Sequence, residues 1–256
     1  MKYAIITYNF NNYEIMREIP NYALDSNIEY LYITDDIHIK SKNWKIIVDH
    51  DLDGLSPFDK CYKVRFNLFK YTKADYIMYI DGSIQILQNP KIYFEEFIKS
   101  NKDIAICVHP ERATLLEEYF EWINHRKYNK NRAFKCLSYM TEQNYDIKNY
   151  KGLYQGGFRV IKNNKIQKEL DRDCYNILKE LGDENIERLD QTIYSFLLNT
   201  KYKKLKLLAY DDSCIFSKYL NIQGHHQKFK FNLQPKRRYI KKGYVRNKIR
   251  KLKTID

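Results

Sequence analysis

Short apolar runs alternate with amphipathic stretches along most of the chain. The short runs predict strands, and stretches with apolar residues every three or four positions predict helices. Strands that alternate with helices form βαβ units, so we expect an α/β fold with a mostly parallel sheet flanked by helices. Strands are predicted at 3–8, 29–34, 44–48, 75–80, 104–108, 153–161 and 204–209, and helices at 57–71, 115–126, 133–143, 165–181 and 189–198, with another opening at Asn89-Pro90.

The strand at 75–80 is nearly all apolar, which is typical of a strand buried on both faces. Asp81, Gly82 and Ser83 follow it directly, and ligands of open α/β sheets bind beyond the carboxyl ends of the strands. A carboxylate and a hydroxyl two residues apart could share a hard cation that bridges a nucleotide diphosphate. Because Asp-Gly is also a common turn dipeptide, a simple turn is the alternative interpretation.

Three other predicted strands also end in polar residues. The carboxyl ends of parallel strands meet at one edge of a sheet, so these side chains should converge with Asp81. They are Thr7 and Tyr8 at the end of the first strand, Asp35 and Asp36 after the second, and His109, Glu111 and Arg112 after the strand at 104–108.

Two helices carry further candidates. Asp190 lies on the same helical face as Ile193 and Leu197, and an inward carboxylate needs a partner or a function. A helix N-cap is the alternative for Asp190. Arg65 shares a helix side with apolar residues, and its guanidinium could pair with a diphosphate.

Two adjacent histidines, His225 and His226, follow the last predicted elements. Imidazole is a common metal ligand, so His225 could complete the coordination of a cation held by Asp81. An exposed histidine pair without a ligand is the alternative.

The net charge of +13 is unevenly placed. Residues 228–256 contain twelve Lys or Arg and one Asp, a net +11, which leaves +2 for residues 1–227. We therefore expect one folded domain at 1–227 and a basic C-terminal tail at 228–256. Apolar residues at helical spacing within 236–256 suit an amphipathic helix on an anionic membrane surface, and a solvated tail is the alternative. A nearly neutral body argues against a nucleic-acid-binding surface on residues 1–227, although the tail could contact phosphates.

The N-terminal residues lack the pattern of a signal peptide, and no apolar run is long enough to span a bilayer. The five cysteines lie far apart without a CxxC pair, which is typical of reduced thiols in a cytosolic protein. We expect a cytoplasmic protein, bound peripherally to the inner face of a membrane if the tail docks there.

Seven of these segments, in this order, resemble one glycosyltransferase-like family. It was long catalogued as a domain of unknown function and includes plant proteins of mucilage and pectin formation and of turgor control. The resemblance covers roughly residues 3–210. The matching segments are 3–10, 32–36, 60–65, 79–84, 109–112, 152–157 and 189–191.

The resemblance implies a Rossmann-like GT-A fold, a nucleotide-sugar donor with a UDP-sugar favoured, and a glycan or lipid-linked acceptor in polysaccharide biosynthesis. It also implies a role for most of the candidates. Thr7, Tyr8 and Asp36 would lie near the nucleoside, Asp81 and Ser83 at a Mn²⁺ or Mg²⁺ ion, His109, Glu111 and Arg112 near the diphosphate or acceptor, Gly156 and Gly157 along the sugar, and Asp190 and Gln191 beside the transferred sugar.

One motif departs from the family pattern, because many GT-A enzymes carry Asp-x-Asp where this chain has Asp81-Gly-Ser83. The site could then rely on His225, on one carboxylate or on no metal. An inverting enzyme also needs a base for the acceptor hydroxyl, and Asp190 or Glu111 could serve. A retaining enzyme could instead leave Asp190 to orient the sugar. A non-catalytic nucleotide- or sugar-binding module, and a nucleic-acid-binding protein acting through its tail, are the rival interpretations.

Overall fold

A seven-stranded sheet forms the centre of the protein in a computed structural model, which describes residues 1–124, 130–147, 152–181, 189–211 and 215–223. The strand order is β3-β2-β1-β4-β7-β6-β8, and β5 pairs with β9 in a separate two-stranded sheet. The strands are β1 (Tyr3–Asn9), β2 (Ile28–Thr34), β3 (Lys45–Val48), β4 (Tyr76–Ile80), β5 (Ile84–Ile86), β6 (Ile104–Val108), β7 (Tyr154–Lys162), β8 (Leu207–Tyr210) and β9 (Leu220–Ile222).

Helices cover both faces of the large sheet. An apolar core between the sheet and α1, α3, α4, α5 and α6 fills one face, and a second core under α2 and the β5–β9 sheet fills the other. This arrangement confirms the expected α/β fold with a mostly parallel sheet flanked by helices. The helices are α1 (Pro57–Arg65), α2 (Lys91–Ser100), α3 (Leu115–Asn124), α4 (Lys130–Glu142), α5 (Lys165–Glu180) and α6 (Leu189–Asn199).

Strand β7 is the one strand of the large sheet that runs against the others, among the described residues. It lies between β4 and β6, so its first residues reach the edge where those two strands end. Hydrogen bonds from Asp81 N to Gly157 O at 2.9 Å and from His109 N to Leu153 O at 2.9 Å continue the pairing past both strand ends. The start of β7 therefore joins the carboxyl edge of the sheet.

Helix α1 ends at Arg65, whereas the sequence pattern predicts a helix that continues to residue 71. Asn67 leaves helical geometry at φ −141° and ψ 37°, and a separate 3₁₀ turn follows at Leu68–Lys70. The carbonyl of Arg65 accepts a hydrogen bond from the side chain of Arg159 instead of from the next helical turn. The last carbonyl of the helix thus meets a side chain that is distant in sequence, and local periodicity does not predict such a contact.

Several predictions concern residues outside the described ranges. They are the domain boundary at residue 227, the basic tail at 228–256 and the proposed metal ligand His225. Every helix in the described ranges is too short or too polar to cross a bilayer.

Candidate functional site

Arg65 lies between two carboxylates at the carboxyl edge of the sheet. Its Nη2 atom is 2.6 Å from Oδ1 of Asp81, and its Nη1 atom forms an ion pair with Oδ2 of Asp190. The Arg65 side chain is 14% exposed and that of Asp190 is 7% exposed, whereas Asp81 is 37% exposed. Asp81 is therefore the member of the cluster that faces solvent.

Tyr79, on strand β4, holds the Arg65 side chain in place. Its hydroxyl accepts hydrogen bonds from Nε and Nη2 of Arg65 at 3.2 and 2.8 Å, and donates one to Oδ1 of Asp81. The Arg65 guanidinium also lies 5.0 Å from the Tyr79 ring and 5.8 Å from the Tyr8 ring. Burial opposes the charge on Arg65, but contacts with Tyr79, Tyr8 and Asp81 keep its pKa above the ordinary value. The guanidinium is thus a fixed cation.

One guanidinium cannot neutralise two carboxylates, so Arg65, Asp81 and Asp190 together carry a net negative charge. Within the described ranges, no hydrogen bond reaches Oδ2 of Asp81 or the hydroxyl of Ser83. Both are hard oxygen donors, and a divalent cation with phosphate ligands commonly needs only one or two carboxylates from the protein. These two residues therefore fit a partial cation site. The described residues contain no group of three His, Cys, Asp or Glu side chains that could hold a metal by themselves.

The Asp81 segment also forms a tight turn, in which Ile84 N donates to Asp81 O at 2.8 Å. Gly82 packs closely inside this turn, since a Cβ there would lie 3.0 Å from the carbonyl oxygen of Tyr8. Arg17 Nη1 donates to the Gly82 carbonyl at 2.6 Å from behind. The turn interpretation and the open carboxylate oxygen therefore coexist, because the turn uses only backbone atoms of Asp81.

Two glycines at the start of β7 make room for the cluster. The pairing of β7 with β6 shifts register at this point, and such bulges commonly occur beside functional sites. A Cβ at Gly156 would lie 3.0 Å from Arg65 Nη1 and 3.1 Å from Asp190 Oδ2, and one at Gly157 would lie 3.0 Å from Asp81 Oδ2. Any side chain here would compete for the space around these polar atoms.

A second cluster joins the loop after β6 to helix α6. The Glu118 carboxylate, which is 1% exposed, forms an ion pair with Nε of Arg112 and accepts a hydrogen bond from Nε2 of Gln191 at 2.6 Å. Arg112 Nη2 lies 2.7 Å from Nε2 of His109, and Arg112 Nη1 lies 3.8 Å from the half-exposed carboxylate of Glu111. Four residues predicted as site residues thus lie together around a buried acid.

The remaining candidates have different surroundings. Thr7 is buried, and no described residue hydrogen-bonds its hydroxyl. Burial raises the pKa of the Tyr8 phenol, although Arg65 partly offsets that rise. Asp36 accepts a hydrogen bond from His38 N at 2.8 Å and so closes its own turn. Of this group, Tyr8 is the residue in direct contact with Arg65.

Glu118 and Tyr79 were missed by sequence reasoning. Glu118 lies at helical spacing from the buried Leu115 and beside the buried Tyr119, so the inward-face argument applied to Asp190 would have found it. Tyr79 offered no such signal, because a tyrosine within an apolar strand is predicted to be an ordinary core residue.

The described cysteines are free thiols, namely Cys61, Cys107, Cys136 and Cys174. Cys61 lies nearest the site, and burial raises its pKa to about 12. Its thiol therefore stays protonated at neutral pH and does not provide a nucleophile.

The fold and the site define an α/β protein with buried ion pairs and a partly exposed carboxylate, Asp81, at the carboxyl edge of its sheet. Compared with known proteins, the sequence matches no family profile and no curated protein.

Proposed function

We propose that this chain is a GT-A-type glycosyltransferase. It would transfer a sugar from a nucleotide-sugar donor, with a UDP-sugar as the favoured donor, to a glycan or lipid-linked acceptor. One observation carries the proposal. Asp81, Arg65 and Asp190 converge where β4 ends, with the Asp81 side chain 37% exposed and its Oδ2 atom free of hydrogen bonds from the described residues. Ligands of α/β sheets bind at this edge, and a donor diphosphate needs both cationic and cation-binding groups.

The sheet topology supports the GT-A part of the proposal. In the described part of the chain, six strands of the large sheet run parallel and a single antiparallel strand, β7, follows β4 in the spatial order, while β5 and β9 form a small side sheet. This layout brings the glycines of β7 and the Asp81 turn to the same edge. A nucleotide-sugar enzyme of this type uses that edge for its donor.

Asp81 and Ser83 would hold a Mn²⁺ or Mg²⁺ ion together with the diphosphate. The ion would act as a Lewis acid that offsets negative charge on the leaving phosphate. Gln223, the last described residue, donates its backbone N–H to Ser83 O at 2.8 Å. The third ligand expected from the sequence, His225, lies outside the described residues and stays a prediction.

The chain's own residues divide the remaining work by their exposure. Arg65 and Arg112 supply fixed positive charge for the leaving diphosphate. Asp190 is buried and paired with Arg65, which suits orientation of the guanidinium and sugar better than proton transfer. Glu111 is half-exposed in a loop at the same edge, so it is the better candidate for the base that deprotonates the acceptor.

The experiment that tests this function measures nucleoside diphosphate release from UDP-, GDP- and CMP-sugars with Mn²⁺, Mg²⁺ or EDTA. Many transferases slowly hydrolyse their donor, so no acceptor is needed. We expect release from one donor class, loss of at least about 100-fold in Asp81→Asn, and loss with EDTA. Asp53→Asn is the matched control, since its side chain is 68% exposed and lies outside the site.

A non-catalytic binding module is the second candidate. Arg65 already occupies one oxygen of Asp81, and no second Asp stands at the metal position, which favours nucleotide binding without turnover. A nucleotide-induced rise in melting temperature with no release from any donor would support this module. Release from a donor that survives in Asp81→Asn would instead place the chemistry elsewhere.

A further inference from the structure

A buried ion pair behind the site has no role in the function proposed above. Arg159 of β7 and Asp171 of α5 contact each other through Nη1–Oδ1 at 2.8 Å and Nη2–Oδ2 at 3.3 Å. Their side chains are 4% and 1% exposed. Burying such a pair costs desolvation energy that apolar residues would avoid, so its presence calls for a reason beyond stability.

Arg159 reaches the backbone of Arg65. Its Nη2 atom donates a hydrogen bond to the Arg65 carbonyl, the last one of helix α1. The final carbonyls of a helix lack partners within the helix, and positive charge is favoured at that end. The Arg159 guanidinium also lies 5.4 Å from the Phe66 ring and 5.1 Å from the Tyr194 ring, which restrict its position.

The sheet register explains how both ends of Arg65 are held. Arg159 pairs with Tyr79 across β7 and β4, so the two side chains leave the sheet on the same face. Tyr79 contacts the guanidinium of Arg65, and Arg159 contacts its carbonyl. Asp171, itself bonded to Gln167 Nε2 at 3.0 Å, fixes the direction of the Arg159 guanidinium.

We propose that Arg159, oriented by Asp171, is a positioning residue that ends helix α1 at Arg65 and so aims the Arg65 guanidinium at Asp81. The expected effect on kcat rests on the proposed function. The restriction of the Arg65 side chain can be measured without any donor.

The main variant is Arg159→Met with Asp171→Asn, which removes the charge pair and keeps the volume and a polar partner for Gln167. Exchanging a buried pair as a unit preserves folding better than removing one partner. We expect kcat for donor cleavage to fall at least about 10-fold with KM changed less than about 3-fold, because transition-state stabilisation is lost. When Arg65→Lys is already present, the double substitution should lower kcat little further, because both changes act through the Arg65 guanidinium.

The readout that needs no donor is the rate of hydrogen exchange with water at the Arg65 Nε–H, measured by NMR. This group donates a hydrogen bond to the Tyr79 hydroxyl. We expect at least about 10-fold faster exchange in the double variant. Arg172→Met is the control, since that side chain is 65% exposed. Arg159→Lys, which keeps the charge but not the two-pronged contact, replaces the double variant if the latter does not fold.

Wild-type exchange at Arg65 in a folded variant would overturn the proposal, and so would a kcat loss that adds fully to that of Arg65→Lys. Faster exchange at Arg65 in a protein whose wild type cleaves no donor would leave the positioning role standing and remove the proposed function instead.

Discussion

At the scale of single residues, Arg65 and the carboxylates of Asp81 and Asp190 determine the net charge of the site. The guanidinium occupies one oxygen of Asp81 and one of Asp190 and leaves a net negative charge near solvent. A cation at Asp81 Oδ2 would complete the neutralisation, while the guanidinium remains in place beside the leaving group. The cluster therefore combines a fixed positive charge with an open position for a second one.

Replacing Asp190 with Asn should lower turnover roughly 10- to 100-fold, because Arg65 loses the carboxylate that orients it. Arg65 keeps its contact with Asp81, so unfolding by urea should show a loss of only about 1 kcal/mol. Donor cleavage and urea titration check the two parts. Unchanged turnover in a folded variant would remove Asp190 from the mechanism.

Replacing Gly157 with Ala should block the open oxygen of Asp81. The new Cβ would lie 3.0 Å from Oδ2, within the space that a cation or ligand needs. We expect calorimetric titration to show at least about 10-fold weaker binding of UDP with Mn²⁺. Thermal melting without ligand should show a comparatively small change, and wild-type affinity would mean that the ligand does not use Oδ2.

Sequence alone predicts part of the site at this scale. The inward position of Asp190 follows from helical spacing, and the polar strand ends follow from the βαβ pattern. The partner of Asp190 did not follow, because Arg65 lies 125 residues away in sequence and the pairing depends on where α1 ends. Thr7 was predicted as a site residue but is buried, because a position near a strand end does not determine which face of the sheet the side chain takes.

At the scale of elements, the end of α1 matters most. The helical pattern continues to residue 71, yet the helix stops at Arg65 and a 3₁₀ turn follows. This turn brings Lys70 and Tyr71 to Asp49, which directly follows β3. The chain after α1 is thus anchored to a neighbouring strand instead of continuing as helix.

That anchor predicts a pH-dependent stability. Burial tends to raise the pKa of Asp49, but hydrogen bonds from Lys70 and Tyr71 outweigh it and hold the pKa below its ordinary value. A lowered pKa in the folded state stabilises the protein above about pH 4 and loses that effect as pH falls further. Asp49→Asn should therefore cost about 1 kcal/mol at pH 7 and progressively less towards pH 3.

Urea titrations of wild type, Asp49→Asn and the exposed Asp53→Asn at several pH values would measure this difference. A deficit in Asp49→Asn that stays constant from pH 7 to pH 3 would contradict the role assigned to the Asp49 charge, and so would an equal deficit in the control.

The alternation of strands and helices was predictable at the element scale, and strand β6 matches its predicted bounds. The reversed direction of β7 and the β5–β9 pair were not. β5 and β9 have three residues each and pair across more than a hundred positions, so no local pattern marks them.

For the whole molecule, charge separates the body from its C-terminal residues. Residues 228–256 carry a net +11, against +2 for the rest. The last described residue, Gln223, is bonded to Ser83 at the carboxyl edge, so the chain leaves the described body beside the proposed donor site. A membrane-docked tail would then place a lipid-linked acceptor near that site.

Removing residues 236–256 should abolish binding to vesicles that contain phosphatidylserine and leave donor cleavage intact. Basic residues near an anionic surface contribute about 1 kcal/mol each, so the loss should be large and should weaken with salt. Co-sedimentation with phosphatidylcholine vesicles is the control. Unchanged vesicle binding would end the membrane proposal, and steeply salt-dependent RNA or DNA binding lost with the tail would favour the nucleic-acid alternative.

A nucleotide and its cation should bind where β4 ends. Anomalous X-ray scattering from crystals grown with UDP and Mn²⁺ would locate both. We expect a manganese peak within roughly 2.5 Å of Asp81 Oδ2, next to the diphosphate and absent in Asp81→Asn. Nucleotide density elsewhere on the protein, or a manganese peak that remains in Asp81→Asn, would show that the donor does not bind at Asp81.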